Sequence, residues 1–302
     1  MSRGTCTLQP VDAPGFSSMR VCELHHDFQQ HPLMDLNRLA RLARDLMPSG
    51  QCRFVRPGTA ETSSFVHASN PSDGRSIEEV FADIERPGSW IALYDVQTDV
   101  EYAELIDEVL GCVQPLIAAE QGRRWRSAGF IFISAPPSAT PFHIDRENNF
   151  WLQIRGRKTM TVFDHRDRKV VSAKAVEDFI VSGSLRDVRL DPLLRARGRN
   201  FEVGPGQGVY FPSTSPHMTS TPSGWAVPGD GVSISIGVVF YTDLTRHHAR
   251  VHQCNRILRK LGVDPGEPGS RPLSDALKAP LGRGIAWSRA RWRDYSAPPG
   301  AY

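Results

Sequence analysis

The sequence predicts an α+β protein in which helices flank a closed or two-layered antiparallel β core. Helical periodicity appears before residue 120 and again after Asp243, and short strands separated by turns occupy the region between. Glycine and proline are abundant, with 25 and 23 copies, which suits a turn-rich β structure better than a helix bundle. A jelly-roll or cupin barrel, also called a double-stranded β-helix, accommodates these strands and turns.

The first elements follow from periodicity and capping. Leucines at helical spacing predict an amphipathic helix, and Ser76 is a suitable N-cap for a short second helix. In order, we expect a loose arm over 1–20, a helix over 33–47, a loop over 56–76, a helix over 76–84, a buried strand over 89–96 and a helix over 101–119.

After residue 126 the residue pattern becomes typical of short strands. Small polar and apolar residues alternate over 231–242, as in a half-buried strand. The elements predicted here are strands over 127–135, 150–156 and 158–164, a helix over 174–183, a strand–turn–strand over 201–213, a strand over 231–242 and a helix from 243 to about 262.

These elements predict one main domain over residues 1–242. It comprises an N-terminal helical part at 21–120 and a barrel core at 127–242. A C-terminal helical extension and a tail rich in proline, glycine and arginine complete the chain at 243–302.

Composition narrows the functional classes. A net charge of +3 is too small to argue for a nucleic-acid partner. Five scattered cysteines without a CxxC pair predict free thiols in a reducing cytoplasm. No apolar run approaches the ~18 residues that a membrane span requires, and we see no secretory signal. We therefore expect a cytoplasmic protein without a membrane partner.

A His-x-Asp pair suggests a metal site. In an extended strand, His143 and Asp145 point to the same face, so they can bind one ion together. We expect the third ligand on a strand that faces them across the barrel, and His217 is the best candidate. Two imidazoles and one carboxylate can hold Fe(II) with open positions. The alternatives are a chance tripeptide and a surface or capping histidine.

The residues around this pair resemble a known family. The run TPFHIDRENNFWLQIRGRK at 140–158 is similar to the core of the JmjC-type hydroxylases, closest to their cupin-8 subgroup. That subgroup includes the asparaginyl hydroxylase that acts on hypoxia-inducible factor. The stretch GPGQGVYFPSTSPH, which ends at His217, is similar to the family's approach to its distal histidine.

The resemblance implies an Fe(II)- and 2-oxoglutarate-dependent hydroxylase that consumes O2. It implies these roles: His143, Asp145 and His217 as iron ligands, Thr140 and Lys158 on the far carboxylate of 2-oxoglutarate, and Asn149 lining the same pocket. Two departures from the family pattern bear on the substrate and on the finer contacts to 2-oxoglutarate. The segment 218–230 is longer than expected, and Gly237 stands where some relatives carry asparagine.

Lys158 supports the co-substrate site on physical grounds. It begins a strand and shares a face with Met160 and Val162, where a lysine without an anion would be costly to bury. The alternative is an exposed turn lysine after Gly156-Arg157.

The substrate is predicted only as a protein or peptide side chain or a small metabolite. Trp151 and Tyr210 could line its entrance, with core packing as the alternative. A second hypothesis is a regulatory or ligand-binding module without turnover, whose basic C-terminal helix contacts a partner or nucleic acid. A cupin isomerase or dioxygenase without 2-oxoglutarate is a third, and it leaves Lys158 unexplained.

Three further histidines lie on the predicted C-terminal helix. His248 and His252 are one turn apart and could grip a metal, but the HExxH glutamate of a zincin is missing. We expect instead a solvated basic helix that includes His247, which is a candidate homodimer face.

Overall fold

The computed structural model describes residues 6–55, 75–225 and 231–293. Most of the loop predicted over 56–76, residues 226–230 of the long segment, and the end of the tail lie outside these ranges. Within them, no helix combines the length and apolar character needed to cross a membrane.

The described residues form two antiparallel sheets. The strands are β1 Leu8–Pro10, β2 Cys22–His26, β3 Cys52–Val55, β4 Trp90–Leu93, β5 Arg124–Ser134, β6 Ser138–His143, β7 Asn148–Arg155, β8 Lys158–Val162, β9 Arg199–Val203, β10 Gln207–Phe211, β11 His217–Thr221 and β12 Ser233–Thr242. The larger sheet has the order β1-β2-β10-β7-β12-β5-β4-β3, and the smaller has the order β6-β11-β8-β9.

Successive side chains along β7 and β12 point alternately to the two faces of the larger sheet. Phe150 and Leu152 on β7, with Ile236 and Val238 on β12, enter an apolar core shared with the N-terminal helices. The residues between them project into the space between the sheets. There Trp151 packs against residues of the smaller sheet and of β10. The outer face of the smaller sheet packs on a helix through a third apolar cluster.

Six α-helices flank the sheets in the described residues. They are α1 Leu36–Leu46, α2 Ile77–Ala82, α3 Val100–Gln121, α4 Ala173–Ser182, α5 Asp243–Lys260 and α6 Pro272–Arg293. The predicted helices correspond to α1 to α5. Ser76 caps α2 as expected, because its side chain accepts from the Glu79 backbone N–H and Glu79 returns a bond to the Ser76 N–H.

Three sequence expectations are corrected. The arm at 1–20 contributes β1 to the large sheet, and the helical part at 21–120 supplies β2 and β3 in addition to β4, which corresponds to the buried strand predicted over 89–96. The three unpredicted strands are too short to show a clear period-2 pattern. The Pro/Gly/Arg-rich tail contains α6, although Pro280 lies inside that helix. Gly282 lets α6 approach α5 closely, because a Cβ atom there would collide with the Arg250 carbonyl.

Candidate metal centre and adjoining polar chamber

Three predicted ligands converge at one end of the smaller sheet. His143 is the last residue of β6, Asp145 follows it directly, and His217 is the first residue of β11. One ligand atom from each lies within 4.8 Å of the others, and no other such group of three is found among the described residues. Nε2 of His217 is 3.4 Å from Asp145 Oδ2, and Nε2 of His143 is 3.9 Å from Oδ1.

The third ligand does not come from across the barrel, as the sequence analysis expected. His217 pairs directly with His143 in the antiparallel ladder of β6 and β11. The expectation was wrong because the sequence does not show whether two distant strands are neighbours in one sheet or lie opposite each other in a barrel. Adjacent strands bring side chains on one face to within about 5 Å, which suits two ligands of one ion.

Backbone carbonyls orient both imidazoles. His143 Nδ1 lies 2.7 Å from the Pro141 carbonyl oxygen, and His217 Nδ1 lies 2.9 Å from that of Ser215. A carbonyl can only accept, so each Nδ1 carries the proton and each Nε2 presents its lone pair toward Asp145. Burial also lowers the pKa of His217 to about 4, which leaves the imidazole neutral, the form that binds metals.

A strand irregularity aligns Thr140 with this site. Residues three apart on a regular strand face opposite sides, which would separate Thr140 from His143. The β6–β11 register shifts between His217 and Thr219, so Thr219 pairs with Thr140 while His217 pairs with His143. Because His217 and Thr219 are two apart on β11, the shift puts Thr140 and His143 on one face.

Lys158 is buried in the space between the sheets. Its side chain is 2% exposed, which excludes the exposed turn lysine that the sequence left open. Nζ donates to Ser134 Oγ on β5 over 3.2 Å, and no carboxylate pairs with it among the described residues. Burial lowers the pKa of Lys158 from 10.5 to about 8. A cation in this position calls for an anionic ligand.

Unsatisfied polar atoms surround the same space, which we call the polar chamber. Asn149 Oδ1, Thr221 Oγ1 and Ser235 Oγ are buried and have no described hydrogen-bond partner. A Cβ atom at Gly237 would lie 3.2 Å from Asn149 Oδ1, so glycine leaves room for that amide. Buried polar groups are normally paired, so these atoms indicate space for a polar ligand.

Four residues of the polar chamber were not predicted from the sequence. Ser134, Ser138, Thr221 and Ser235 belong to β5, β6, β11 and β12, and Ser138 Oγ lies 3.0 Å from Ser134 Oγ. Serine and threonine carry no specific chemical signal on their own. One sequence pattern could have indicated Ser235. Isoleucines flank it and point into the core, so the serine must point to the opposite face of the strand.

The proposed substrate residues have the surroundings of core residues. Trp151 is 3% exposed and packs between the sheets. Tyr210 is fully buried against the N-terminal helices, where its hydroxyl donates to the Ser18 carbonyl and accepts from Gln121 Nε2. Their substrate role stays a prediction that neither environment supports.

The C-terminal helix is less solvated than expected. His252 is buried, and desolvation lowers its pKa to about 3. Desolvation likewise lowers the pKa of His248 to about 4. Arg256 pairs with Asp178 over 2.6 Å, and Arg259 pairs with Glu177 over 3.1 Å, so both arginines bind α4. The expectation of a basic face exposed to a partner is wrong for these residues.

Comparisons with known proteins give likenesses among solved structures. No protein-family model and no curated protein matches the chain. A structure of YcfD, a ribosomal oxygenase from Escherichia coli, shares 17% identity over 97% of this chain and 69% of that chain, with a TM-score of 0.46.

Two further YcfD structures behave similarly. One from E. coli shares 15% identity over 98% of this chain and 64% of its own, with a TM-score of 0.48. A complex of the E. coli protein with cobalt and 2-oxoglutarate shares 17% identity over 93% of this chain and 67% of its own, with a TM-score of 0.47. This chain therefore spans 64–69% of the length of these structures. At such identities and TM-scores, the likenesses establish neither the fold nor the activity of this chain.

Proposed function

We propose that the protein is an Fe(II)- and 2-oxoglutarate-dependent oxygenase whose two sheets form a jelly-roll core. The observation that carries this proposal is the joint placement of two features. A His/His/Asp cluster with oriented imidazoles adjoins a chamber that buries Lys158 without a described carboxylate partner. A metal site alone would not require the buried cation.

His143, Asp145 and His217 would hold the iron. Two imidazoles and one carboxylate are the facial triad of non-haem iron oxygenases, which leaves positions for co-substrate and oxygen. When bound, Fe(II) with 2-oxoglutarate supplies the activation of O2 that oxidises a substrate C–H bond and releases succinate and CO2. The Pro141 and Ser215 carbonyls fix the ligand tautomers before any metal arrives.

Lys158 would bind the far carboxylate of 2-oxoglutarate. Its ammonium is desolvated and fixed by Ser134, so an arriving carboxylate regains charge-assisted bonds of about 1.5–3 kcal/mol each. Thr140 would add a hydroxyl from the same face of β6, and Asn149 would satisfy its unpaired Oδ1 in the same chamber. The buried walls exclude water from the bound pair.

The substrate is a protein or peptide side chain or a small metabolite. Turnover of 2-oxoglutarate tests the proposal without knowledge of the substrate, because succinate is released whenever the co-substrate is oxidised. We expect slow Fe(II)- and O2-dependent succinate formation that rises when a screen finds the substrate.

His143→Ala and Asp145→Ala should abolish succinate formation, whereas His247→Ala on α5 should leave it unchanged. Full turnover in the His143→Ala protein would contradict the proposal. Circular dichroism of each variant separates loss of activity from loss of folding.

A further inference from the structure

A row of aromatic side chains lies on the face of the larger sheet that carries the polar chamber. Trp90 pairs with Ser134 across β4 and β5, and Ala92 pairs with Phe132. Direct partners share a face, so Trp90 and Phe132 lie on the same side as the serine that binds Lys158. The residues between them point the other way. Ile91 and Ile133 are fully buried in the helical core.

The rings form one connected surface, which we call the aromatic platform (Trp90, Tyr94, Phe130 and Phe132). The Trp90 and Phe132 centroids are 6.2 Å apart, Tyr94 meets Phe132 edge-on at 6.3 Å, and Tyr94 lies 5.4 Å from Phe130. All four residues are partly exposed, unlike the aliphatic residues on the opposite face. A partly exposed aromatic surface beside the polar chamber suits ligand binding better than folding.

Arg53 on β3 places a positive charge over this surface. Its guanidinium carbon is 4.7 Å from the Tyr94 ring centroid. Within the described part of the chain, no carboxylate forms an ion pair with Arg53, and its buried Nε has no hydrogen-bond partner. The buried Nε1 of Trp90 also lacks a partner there. Arg53 pairs with Ala92 in the ladder, two residues from Trp90, so the two donors are diagonal neighbours.

Phe130, which lies beside Tyr94, connects the platform to the polar chamber, because it pairs with Gly237 on β12 and Gly237 borders Asn149. Burial raises the pKa of the Tyr94 phenol, and the Asp145 carboxylate raises it further, while the Arg53 charge lowers it. A molecule resting on the platform would extend from Arg53 toward the polar chamber.

We propose that Arg53 and Trp90 bind a carboxylate of the substrate while the platform packs against its apolar or aromatic body. Arginine binds carboxylates through paired N–H donors, and the indole N–H supplies another. Because no described carboxylate pairs with Arg53, its guanidinium favours an anionic substrate over a neutral amide, which carries no charge to match it. This inference rests on the proposed function, because it assigns substrate to the adjoining metal site.

Phenylacetate and phenylacetamide test the proposal as matched probes of similar shape and different charge. Calorimetric titration would use protein loaded with Zn(II) and saturating 2-oxoglutarate, since zinc supports no redox turnover. We expect phenylacetate to bind about tenfold more tightly than the amide. Arg53→Gln should remove that preference, and Trp90→Phe should weaken phenylacetate binding several-fold because it keeps a ring but loses the donor. Arg86→Gln, a surface change with a side chain 70% exposed, is the matched control.

Equal binding of the two probes, binding of neither, or an unchanged preference in Arg53→Gln would overturn the inference. The same preparations are titrated with 2-oxoglutarate. If Arg53→Gln weakens 2-oxoglutarate as much as phenylacetate, Arg53 belongs to the co-substrate pocket and the inference is again overturned. If wild-type protein binds no 2-oxoglutarate, the proposed function fails separately, and the probe preference is then measured without it.

Discussion

His143 and His217 are direct partners in the antiparallel pair of β6 and β11, and their ring centroids lie 4.1 Å apart. β11 also pairs with β8, where His217 lies opposite Val162. The position of His217 is therefore set by two hydrogen-bonded neighbours, and Phe211 packs on its ring at 4.5 Å. Backbone pairing thus fixes the spacing of the two imidazoles without a metal.

Lys158 should be needed for co-substrate binding. In protein without bound 2-oxoglutarate, its buried charge should lower the free energy of unfolding. Lys158→Met removes the buried charge, so we expect 2-oxoglutarate affinity to fall by about 100-fold or more. The free energy of unfolding without 2-oxoglutarate should rise by about 3 kcal/mol, since the drop in the Lys158 pKa from 10.5 to about 8 corresponds to a penalty of that order. Calorimetric titration and urea unfolding measure the two effects.

Lys169→Met at an exposed lysine serves as the control and should change neither quantity. A Lys158→Met protein that still binds 2-oxoglutarate at wild-type affinity would remove the lysine from the pocket.

The affinity for 2-oxoglutarate should depend on pH through the same lysine. Its pKa without ligand is about 8, below the ordinary 10.5. Anion binding needs the charged form, so the dissociation constant should stay constant up to about pH 8 and then rise about tenfold per pH unit. Lys158→Arg, which stays charged over this range, should bind with little change up to pH 10. Parallel pH profiles in the two proteins would refute the assignment.

The lowered pKa of Lys158 also determines how the free energy of unfolding varies with pH in protein without 2-oxoglutarate. Between pH 8 and pH 10.5, the unfolded chain holds a proton on this side chain that the folded chain has released. The unfolded state therefore binds more protons, so this group's contribution to the free energy of unfolding rises with pH in that window. Urea unfolding at several pH values, compared with Lys158→Met, isolates the contribution.

How much of the site could be predicted differs between residues. His143, Asp145 and Lys158 lie within one continuous stretch, so local spacing and the resemblance were enough to select them. The pairing of His217 with His143 depends on a long-range register that no local pattern records. Arg53 and Trp90 lie on strands that join the sheet only through β5, so no local sequence pattern places them beside the polar chamber.

The fold shows the same limit. Long amphipathic segments such as α1 and the alternating β12 were predicted because each repeats its period many times. The helix α6 was missed because Pro280 and Gly282 are read as breakers, whereas here close packing on α5 favours the small residue.

Gly237 should be important for the polar chamber. In Gly237→Ala the new Cβ would approach Asn149 Oδ1 to 3.2 Å and Nδ2 to 3.3 Å, so the amide must move by a few tenths of an ångström. We expect 2-oxoglutarate affinity to fall several-fold with little change in iron binding. Gly224→Ala, at a glycine with open space, is the control. Unchanged affinity in Gly237→Ala would place Asn149 outside the pocket.

The ion pair between α4 and α5 should contribute to stability. Glu177 is 2% exposed and bonds to Arg259 through three contacts of 3.1–3.2 Å. Removing the partner in Arg259→Met leaves a buried carboxylate, which should cost about 3 kcal/mol of unfolding free energy. The double variant Glu177→Leu/Arg259→Met should recover most of that loss in urea unfolding. Equal losses in the single and double variants would contradict the account.

Anaerobic titration of the metal-free protein with Fe(II) and 2-oxoglutarate tests the central claim most directly. We expect one ferrous ion and one 2-oxoglutarate per chain, together with a visible charge-transfer absorption that requires both. Asp145→Ala should lose the iron and the absorption, whereas Lys158→Met should keep the iron and lose the absorption at moderate 2-oxoglutarate. Wild-type protein that binds no iron, or that binds iron and gives no absorption with saturating 2-oxoglutarate, would contradict the account.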